Sequence, residues 1–538
     1  MTSLSDAHGT TSYAHGTSVE PLLGATIGEL LRQTAARLGD REALVDVPGG
    51  TRWTYRELDD RVDETARALL GLGVGKGDRV GIWARNRPEW VLVQYATARI
   101  GAILVTINPA YRTDELRYVL RQAGVGLLFA APEYREMVEA AGHASVSYLG
   151  DPLPEASPAA DLAARERELS CDDPITIQYT SGTTGFPKGA TLSHHNLLNN
   201  GYFVAQRQGW SADDRLCLPV PFYHCFGSVL GTLAAMTHGA CIVIPAPSFD
   251  PRATLAAVEK ERCTALYGVP TMFIAELAEP SFGSYDLSSL RTGVMAGSPC
   301  PVEVMKRVVA DLGMTEVTIC YGMTETSPVS TQSRPADDLD TRVSTVGTPL
   351  PHVEVKIVDP ATGLTVPRGA PGEFCTRGYS VMLGYWDMPE RTAEVIDAAR
   401  WMHTGDLAVM NDSGYVNIVG RIKDVVIRGG ENIYPTEVED FLHTHPDILD
   451  VQVIGVPDPH YGEQVMAWLI PRPGAEPPTA VTLRDFCAGR LASYKIPRYV
   501  KVVDSFPLTV TGKIRKGEMR DRSVRELGLE YAAAARTA

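Results

Sequence analysis

Short apolar and β-branched runs alternate with amphipathic segments from residue 78 to about residue 407, and this alternation limits the fold more than any other feature. The runs are residues 79–83, 102–106, 127–130, 175–178 and 241–244. Runs that are apolar at nearly every position are typical of strands covered on both faces. Between the runs, residues 89–100 and 252–262 repeat apolar side chains at helical spacing. The sequence therefore predicts a layered α/β fold.

The pattern changes after Asp406. Residues 407–410 and 415–419 flank the turn-forming segment 411–414, which predicts a hairpin. A short strand at 425–427 is followed by Thr436 and Glu439, whose spacing predicts a capping box at the start of a helix. We predict a large, multi-lobed N-terminal α/β domain at residues 21–422 and a small α+β C-terminal domain at residues 423–538.

Composition excludes several classes of function. The formal net charge of −15 over 538 residues argues against nucleic acid as the main partner, because phosphate binding needs clustered cations. No run reaches the roughly 18 to 20 apolar residues of a membrane span, so no transmembrane segment is predicted. The nine cysteines form no Cys-x-x-Cys pair. Residues 1–20 are polar and are predicted to be a disordered leader, and a cytoplasmic location is expected.

The segment 179–189 combines three glycines, several hydroxyls and Lys188 in one stretch. Glycines allow backbone N–H groups to approach an anion closely, hydroxyls donate further hydrogen bonds, and the lysine supplies positive charge. Its spacing differs from the P-loop, because Pro187 precedes Lys188 and Gly189 follows it. No stretch matches the dinucleotide fingerprint either. The segment predicts a loop that binds the phosphates of a nucleoside triphosphate.

Three later groupings supply other parts of a nucleotide site. Residues 321–326 join an aromatic side chain, a glycine and a carboxylate. Residues 401–406 end in a second carboxylate, and residues 420–424 carry two cations. Each grouping alone is a weak signal, and their order along the chain carries the information.

In this order, the groupings resemble the adenylate-forming superfamily of acyl-CoA synthetases, peptide-synthetase adenylation domains and luciferases. The resemblance extends over residues 28–528, and the chain is most similar to the medium-chain acyl-CoA synthetase branch. The stretches that carry this narrower resemblance are residues 107–112, 222–228, 296–299 and 427–435. It implies the adenylate-forming fold, in which the small C-terminal domain is mobile.

The resemblance implies a reaction with ATP, Mg²⁺ and coenzyme A in two steps. A carboxylate attacks the α-phosphate to give acyl-AMP and pyrophosphate, and the coenzyme A thiol then displaces AMP. Because the first step joins two anions, the site must neutralise charge. The residues that the family pattern assigns to nucleotide and coenzyme binding are Thr180, Ser181, Gly182, Thr183, Thr184, Gly185, Lys188, Ala296, Gly297, Ser298, Tyr321, Gly322, Thr324, Asp406, Arg421, Lys423, Gly430, Glu431 and Asn432. Those assigned to catalysis are Lys513, Glu325, Thr184 and His224.

Individual roles follow from the same resemblance. Glu325 and Thr184 are expected to hold Mg²⁺ through hard oxygen atoms. Asp406 and Arg421 correspond to the ribose contacts. Ala296, Gly297, Ser298 and Tyr321 correspond to the residues that flank adenine. Lys423 occupies the family's hinge position, where rotation would exchange the face bearing Lys513 for the face bearing residues 430–432.

His224 follows an aromatic-rich segment that the family places beside the acyl pocket. Small residues at Cys225, Gly227, Gly231 and Gly268 are expected to leave room for an elongated apolar chain. Because residues 222–225 contain no Asp to pair with an α-ammonium, the expected substrate is a fatty or other carboxylic acid. Alternatives are an aryl-CoA ligase and transfer to the phosphopantetheine of an acyl carrier protein. The sequence leaves open whether the protein forms a homodimer.

Lys513 provides the first testable prediction. If its charge bridges the carboxylate and the α-phosphate, Lys513→Ala should slow pyrophosphate release by about 100-fold or more. Thioester formation from supplied acyl-adenylate and coenzyme A should stay close to the wild-type rate. Loss of both half-reactions would contradict a role confined to adenylation.

Overall fold

The computed structural model describes residues 11–153, 156–180, 187–298, 300–508 and 514–531. Its strands are, in chain order, β1 (Tyr13–His15), β2 (Glu42–Asp46), β3 (Thr51–Thr54), β4 (Arg79–Trp83), β5 (Ile103–Thr106), β6 (Val125–Ala130), β7 (Val146–Tyr148), β8 (Pro174–Thr180), β9 (Lys188–Ser193), β10 (Arg215–Cys217), β11 (Cys241–Ile244), β12 (Ala265–Gly268), β13 (Thr292–Ala296), β14 (Glu316–Gly322), β15 (Val329–Gln332), β16 (Thr348–Pro349), β17 (Val353–Val358), β18 (Gly372–Gly378), β19 (Gly384–Tyr385), β20 (Met402–Met410), β21 (Val416–Arg421), β22 (Val426–Arg428), β23 (Glu431–Ile433), β24 (Ile448–Asp458), β25 (Gly462–Pro471) and β26 (Tyr499–Val502).

The α-helices alternate with these strands over most of the chain. They are α1 (Ile27–Leu38), α2 (Tyr55–Gly71), α3 (Pro88–Ile100), α4 (Thr113–Ala123), α5 (Arg135–Ala141), α6 (Ala159–Glu166), α7 (His194–Arg207), α8 (Cys225–Gly227), α9 (Ala234–His238), α10 (Pro251–Glu261), α11 (Pro270–Leu277), α12 (Val302–Asp311), α13 (Leu339–Ser344), α14 (Pro389–Ala393), α15 (Pro435–Leu442), α16 (Ala480–Cys487) and α17 (Lys516–Glu526). No helix among the described residues is both long and apolar enough to cross a membrane.

Two large sheets form the body of the protein. One has the strand order β19-β9-β8-β5-β4-β6-β7, and the other has the order β16-β15-β14-β13-β12-β10-β11-β2-β3. Neighbours are parallel from β8 to β7 in the first sheet and from β14 to β2 in the second. The strands β5, β11 and β12 are buried at every position, as their unbroken apolar runs require. The predicted layered α/β fold is confirmed.

A third, antiparallel sheet has the order β1-β17-β18-β20-β21. Its edge strand β1 lies in the segment predicted to be a disordered leader. Tyr13 pairs with Lys356 of β17, and the buried Ser12 hydroxyl donates to the Pro367 carbonyl at 2.9 Å. For residues 11–15 the leader prediction is therefore wrong, because backbone pairing with a strand about 340 residues later holds them. Residues 1–10 lie outside the described residues.

The C-terminal sheet has the order β23-β22-β25-β24, and β26 pairs with β25 in parallel. The helix α15 and the helix α17 pack against β24, which gives the α+β arrangement expected for this part of the chain. The predicted capping box is wrong, since Pro435 is the first residue of α15 and Tyr434 its N-cap. Glu439 instead accepts a hydrogen bond from the Val453 backbone at 2.7 Å.

A buried charge cluster joins the first helices of the large domain. The Arg99 side chain in α3 is fully buried and forms ion pairs with Asp59 and Asp63 of α2. Arg32 of α1 also contacts Asp63, at 2.8 Å, and reaches Glu166 of α6 at 2.9 Å, with 36% of its side chain exposed. The two arginines therefore share carboxylate partners but differ in burial.

This difference predicts unequal effects of two matched substitutions. Arg99→Met should lower the free energy of unfolding by about 3–5 kcal/mol, because it removes the fully buried cation and leaves the partly buried Asp59 and Asp63 with only the more exposed Arg32 as a partner. Arg32→Met removes a half-exposed partner and should lower it by about 1 kcal/mol or less. Urea unfolding of both variants, followed by tryptophan fluorescence, measures the two values. Equal losses would contradict burial as the cause.

Candidate active site

The predicted phosphate loop connects two adjacent antiparallel strands. Thr180, the last residue of β8, is the pairing partner of Lys188, the first residue of β9. The loop therefore begins and ends at the same point of the seven-stranded sheet. The predicted binding residues Ser181, Gly182, Thr183, Thr184 and Gly185 lie between these ends, outside the described residues.

Glu325 is buried opposite this pair, in a short turn that follows β14. Its Oε1 atom accepts a hydrogen bond from the Thr180 hydroxyl at 3.3 Å and another from the Tyr385 hydroxyl at 2.8 Å. The Glu325 carbonyl accepts from the Met382 N–H at 2.9 Å. Thus the structure brings the carboxylate of the 321–326 grouping to the edge of the predicted phosphate loop.

Tyr385 also contacts the cation of this loop. The Lys188 Nζ lies 4.3 Å from the centroid of the Tyr385 ring. Burial, together with the negative charge of Glu325, raises the pKa of Tyr385, so its hydroxyl stays protonated and donates. Sequence reasoning missed this residue. No local pattern marks it, and its position follows only from the pairing of β19 with β9.

The predicted ribose residues are brought together by neighbouring strands. Asp406 of β20 is the pairing partner of Arg421 of β21, and Arg421 Nε lies 2.9 Å from Asp406 Oδ1. The Tyr321 hydroxyl donates to Asp406 Oδ2 at 2.7 Å. Desolvation and the Asp406 charge raise the pKa of Tyr321, which keeps the hydroxyl a donor. Both oxygens of Asp406 therefore have partners.

The predicted adenine residues lie at one edge of the nine-stranded sheet. Ala296 ends β13, and its parallel neighbour β14 ends at Tyr321 and Gly322. Gly297 and Ser298 are exposed beyond β13. Gly297 has a φ of +95°, which favours glycine. At Gly322 a Cβ atom would lie 1.8 Å from the Pro328 carbonyl oxygen, so close backbone packing requires a glycine there.

The part of β20 that carries Asp406 is held by residues that sequence reasoning missed. Glu373 Oε1 accepts from the Gly405 N–H at 3.0 Å, and Glu373 Oε2 lies 2.8 Å from His403 Nδ1. The Thr404 hydroxyl donates to the Phe374 carbonyl at 2.7 Å. These contacts tie the 401–406 grouping to β18. The pairing of β18 with β20 places them together, and only the family motif around Asp406 hinted at the region.

His224 caps the short helix α8. Its Nδ1 atom accepts from the Phe226 N–H at 3.2 Å, so a neutral ring carries its proton on Nε2. The next residue, Cys225, lies with its Sγ atom 3.7 Å from the hydroxyl of the buried Thr324. This contact places the predicted acyl-pocket segment beside the turn that contains Glu325.

The glycines expected to open the acyl pocket have a different role in the structure. A Cβ atom at Gly227 would lie 2.3 Å from the Pro221 carbonyl oxygen, and one at Gly231 would lie 2.4 Å from Leu218 Cδ2. At Gly268 it would lie 3.0 Å from Phe273 Cε2. These three residues allow elements to pack closely, so their small size is not evidence for a long cavity.

The described candidate residues from Lys423 onward lie in different elements from those that carry Thr180 and Glu325. Gly430 and Glu431 belong to the hairpin of β22 and β23, in which Arg428 pairs with Glu431, and Asn432 is exposed in β23. Lys423 reaches solvent, yet partial desolvation and the Arg421 charge lower its pKa. Lys513 lies outside the described residues.

The described part of the site fits a nucleotide and a hard divalent cation. Glu325 and Thr180 present carboxylate and hydroxyl oxygens, which are the ligand atoms that Mg²⁺ prefers. Lys188 has positive charge for phosphate oxygens, and its Nζ lies 4.3 Å from the ring of Tyr385, whose hydroxyl donates to Glu325. The site thus combines an acidic group and a basic group that contact the same side chain, as suits a metal-bound polyphosphate.

Comparison with known proteins agrees with this geometry. The family model described as AMP-binding enzyme matches residues 31–386, and the model described as AMP-binding enzyme C-terminal domain matches residues 437–513. YngI of Bacillus subtilis (strain 168) is 47% identical, over 94% of this chain and 99% of its own length. The mitochondrial medium-chain acyl-CoA ligase ACSF2 of Danio rerio is 45% identical, over 97% of this chain and 92% of its own.

Solved structures give the same result. The crystal structure of ATP-bound MatB from Rhodopseudomonas palustris aligns with a TM-score of 0.81 at 32% sequence identity. It covers 92% of this chain and 98% of that protein. Family models, relatives and structures all extend over both parts of the chain. The chain therefore belongs to the AMP-binding, or adenylate-forming, enzyme family, as an AMP-forming acyl-CoA synthetase.

Proposed function

We propose that the protein joins a medium-chain fatty acid to coenzyme A through an acyl-adenylate, with Mg²⁺-bound ATP as the energy source. The observation that carries the proposal is the contact between Thr180, Glu325 and Tyr385 next to Lys188. In this contact a buried carboxylate meets Thr180 at one end of the predicted phosphate loop, and Lys188 is the cation at the other end. The Asp406 and Tyr321 pair lies at a neighbouring strand end and supplies a ribose site.

The phosphate end of the site handles charge. Lys188 and the hydroxyls and N–H groups of residues 181–185 would bind the β- and γ-phosphates. Glu325 and Thr184 would hold Mg²⁺, which neutralises phosphate charge when it is bound with the nucleotide. The Thr180 hydroxyl, at 3.3 Å from Glu325, orients that carboxylate.

The nucleoside end uses preformed polar groups. Asp406 would accept hydrogen bonds from the ribose hydroxyls, and Arg421 would donate to the same sugar. Tyr321 would cover one face of adenine, and the segment from Ala296 to Ser298 leaves room beside it because its side chains are small. Thr324 and Gly322 would shape the turn between adenine and Glu325, since Thr324 is buried and a side chain at Gly322 would meet the backbone.

In the first half-reaction, a carboxylate oxygen attacks the α-phosphorus and the bond from that phosphorus to pyrophosphate breaks. His224 Nε2–H would donate to the substrate carboxylate and hold it, since Nδ1 already accepts from the backbone. Lys513 would bridge the carboxylate and the α-phosphate, reducing the repulsion between two anions. No proton leaves the substrate in this step, so the roles of both residues are orientation and charge.

In the second half-reaction, the coenzyme A sulfur attacks the acyl carbon, the bond from that carbon to the AMP oxygen breaks, and the thiol proton is released to solvent. Rotation at Lys423 would bring Gly430, Glu431 and Asn432 toward the acyl-adenylate in place of Lys513. An acyl carrier protein presents the same thiol arm, so the acceptor is a matter for experiment. The domain boundary at residues 422–423, a cytoplasmic location and a homodimer stay predictions from the sequence.

The choice of a medium-chain acid is supported by the similarity to the ACSF2 relatives, which are named medium-chain acyl-CoA ligases. It is not supported by Gly227, Gly231 or Gly268, because protein atoms fill the space beside them. The absence of an acidic residue at positions 222–225 supports an acid without an α-ammonium group.

A substrate panel tests the proposal. Pyrophosphate release with Mg-ATP should be sustained and dependent on coenzyme A for straight-chain acids of about six to twelve carbons. The reason is that coenzyme A, the proposed acceptor, reacts with each acyl-adenylate and so frees the site for the next turnover. Branched and aryl carboxylates should turn over more slowly. Stoichiometric release that coenzyme A does not change would contradict free coenzyme A as the acceptor and indicate a carrier protein. Faster turnover of aryl acids would favour the aryl-CoA ligase alternative.

Asp406 provides a test of the ribose site. Asp406→Asn keeps the side-chain shape but removes the charge and one acceptor, so the KM for ATP should rise about 10- to 100-fold. The wild type should use 2′,3′-dideoxy-ATP poorly. The variant should discriminate much less between this analogue and ATP, because the substitution and the missing ribose hydroxyls remove the same contact between Asp406 and the sugar. Steady-state kinetics with both nucleotides measures this. An undiminished preference for ATP in the variant would show that Asp406 does not bind the sugar.

A further inference from the structure

We infer that Tyr385 is a positioning residue that holds the carboxylate of Glu325 and the ammonium of Lys188 in the arrangement that metal-bound ATP needs. The inference rests on the proposed function and extends it to a residue that no sequence motif marked. Its basis is a set of contacts that converge on one side chain.

The hydroxyl of Tyr385 acts on the carboxylate. It donates to Glu325 Oε1 at 2.8 Å, and the Thr180 hydroxyl donates to the same oxygen at 3.3 Å. A buried carboxylate that keeps donors on one oxygen has a fixed orientation, and neither donor occupies Oε2. The hydrogen bond from Tyr385 is the shorter of the two, so Tyr385 restrains the Glu325 carboxylate more than Thr180 does.

The ring of Tyr385 acts on the cation. The Lys188 Nζ lies 4.3 Å from the ring centroid, a distance at which the face of the ring attracts a cation. Lysine has a flexible side chain that no rigid fork orients. Because ring and hydroxyl belong to one rigid group, Tyr385 sets the position of the cation relative to the carboxylate.

The backbone around Tyr385 is tied to both partners. Tyr385 pairs with Ala190 of β9, the strand that begins at Lys188, and the Trp386 N–H donates to the Gly189 carbonyl at 2.8 Å. On the other side, the Met382 N–H donates to the Glu325 carbonyl at 2.9 Å. The segment 382–386 therefore spans the gap between the two functional side chains.

The segment is also anchored from outside the site. The Tyr385 N–H donates to the Thr392 hydroxyl at 2.9 Å, and only 6% of the Tyr385 residue is exposed. These contacts leave the ring little freedom, as a supporting residue for a precise site requires. A residue that only filled space in the core would need neither the hydroxyl nor the approach of Lys188.

Two substitutions separate the two contacts. Tyr385→Phe removes the hydroxyl but keeps the ring below Lys188, whereas Tyr385→Leu removes both. Equilibrium binding of ATP is measured by calorimetry over a series of Mg²⁺ concentrations, without any carboxylic acid, so that no turnover occurs. For Tyr385→Phe, the Mg²⁺ concentration that gives half-maximal ATP binding should rise about five- to tenfold. Its ATP affinity at saturating Mg²⁺ should stay within about twofold of wild type.

Tyr385→Leu should show the same shift in Mg²⁺ dependence and, in addition, about a fivefold loss of ATP affinity at saturating Mg²⁺, because Lys188 loses its support. Thr180→Val removes the other donor to Glu325 Oε1. It should shift the Mg²⁺ dependence in the same direction but by less, since its hydrogen bond is longer. This variant also tests the restraint on Glu325 if Tyr385→Phe fails to fold.

Tyr95→Phe is the matched control. Tyr95 is also buried, and its hydroxyl donates to the Thr232 carbonyl at 2.9 Å, without a role in the proposed site. Its loss should lower the thermal midpoint and leave the Mg²⁺ dependence of ATP binding unchanged. A purely structural role for Tyr385 would give the same result as this control.

An unchanged or lower half-saturating Mg²⁺ concentration in both Tyr385→Phe and Thr180→Val would overturn the inference. So would a loss of ATP affinity in Tyr385→Phe as large as in Tyr385→Leu, because it would show that hydroxyl and ring do not act separately. Failure of the proposed function is distinguishable from both: wild-type protein would bind Mg-ATP but turn over no fatty acid. The binding measurements would then still decide the role of Tyr385.

Discussion

A buried carboxylate beside a cation is the constraint on which the rest of the site depends. Glu325 is 4% exposed, and a charge so placed is stable only if hydrogen-bond donors surround it. Thr180 and Tyr385 supply those donors, and Lys188 lies against the ring of Tyr385. A polyphosphate could not approach Glu325 without such compensation, because like charges repel strongly where water is scarce. The local charge balance thus explains why an acidic protein can have an anionic substrate.

Three sheets meet at this point, and each contributes different candidate residues. The seven-stranded sheet carries the ends of the predicted phosphate loop, at Thr180 and Lys188. The nine-stranded sheet carries Tyr321 near the end of β14 and Glu325 in the turn just after it. The antiparallel sheet carries Asp406 in β20. The hydrogen bonds from Thr180 to Glu325 and from Tyr321 to Asp406 join the sheets directly, so the contacts that orient the functional groups also fix the sheets relative to each other.

Patterns among neighbouring residues were enough to predict much of the fold. The sequence-based strand at 79–83 and the helix at 89–100 agree closely with β4 and α3, because periodicity and burial are properties of neighbouring residues. The α/β class and the family followed from the order of motifs.

Contacts between distant segments were beyond such reasoning. Tyr385 meets Glu325 across 60 residues, and Tyr13 pairs with a strand more than 340 residues later. Neither has a local signal, since strand register depends on the whole sheet. The capping box failed for a local reason instead: the fixed φ of Pro435 suits the first position of the helix, so the helix begins before Thr436. Gly227 was misjudged because the Pro221 carbonyl, only six residues earlier, folds back into the space that a side chain would occupy.

The ribose contact and the proposed hinge are linked by covalent structure. Arg421 is the last residue of β21, Asp406 is its pairing partner, and Lys423 follows only two residues later. Arg421 Nε lies 2.9 Å from Asp406 Oδ1, so the end of β21 is anchored to β20. A ribose that binds between them would exchange this ion pair for hydrogen bonds to the sugar. The restraint on the residues just before Lys423 would then depend on whether nucleotide is bound. Because a small domain that rotates at Lys423 needs a fixed base, nucleotide occupancy and domain position would share one structural element, the end of β21.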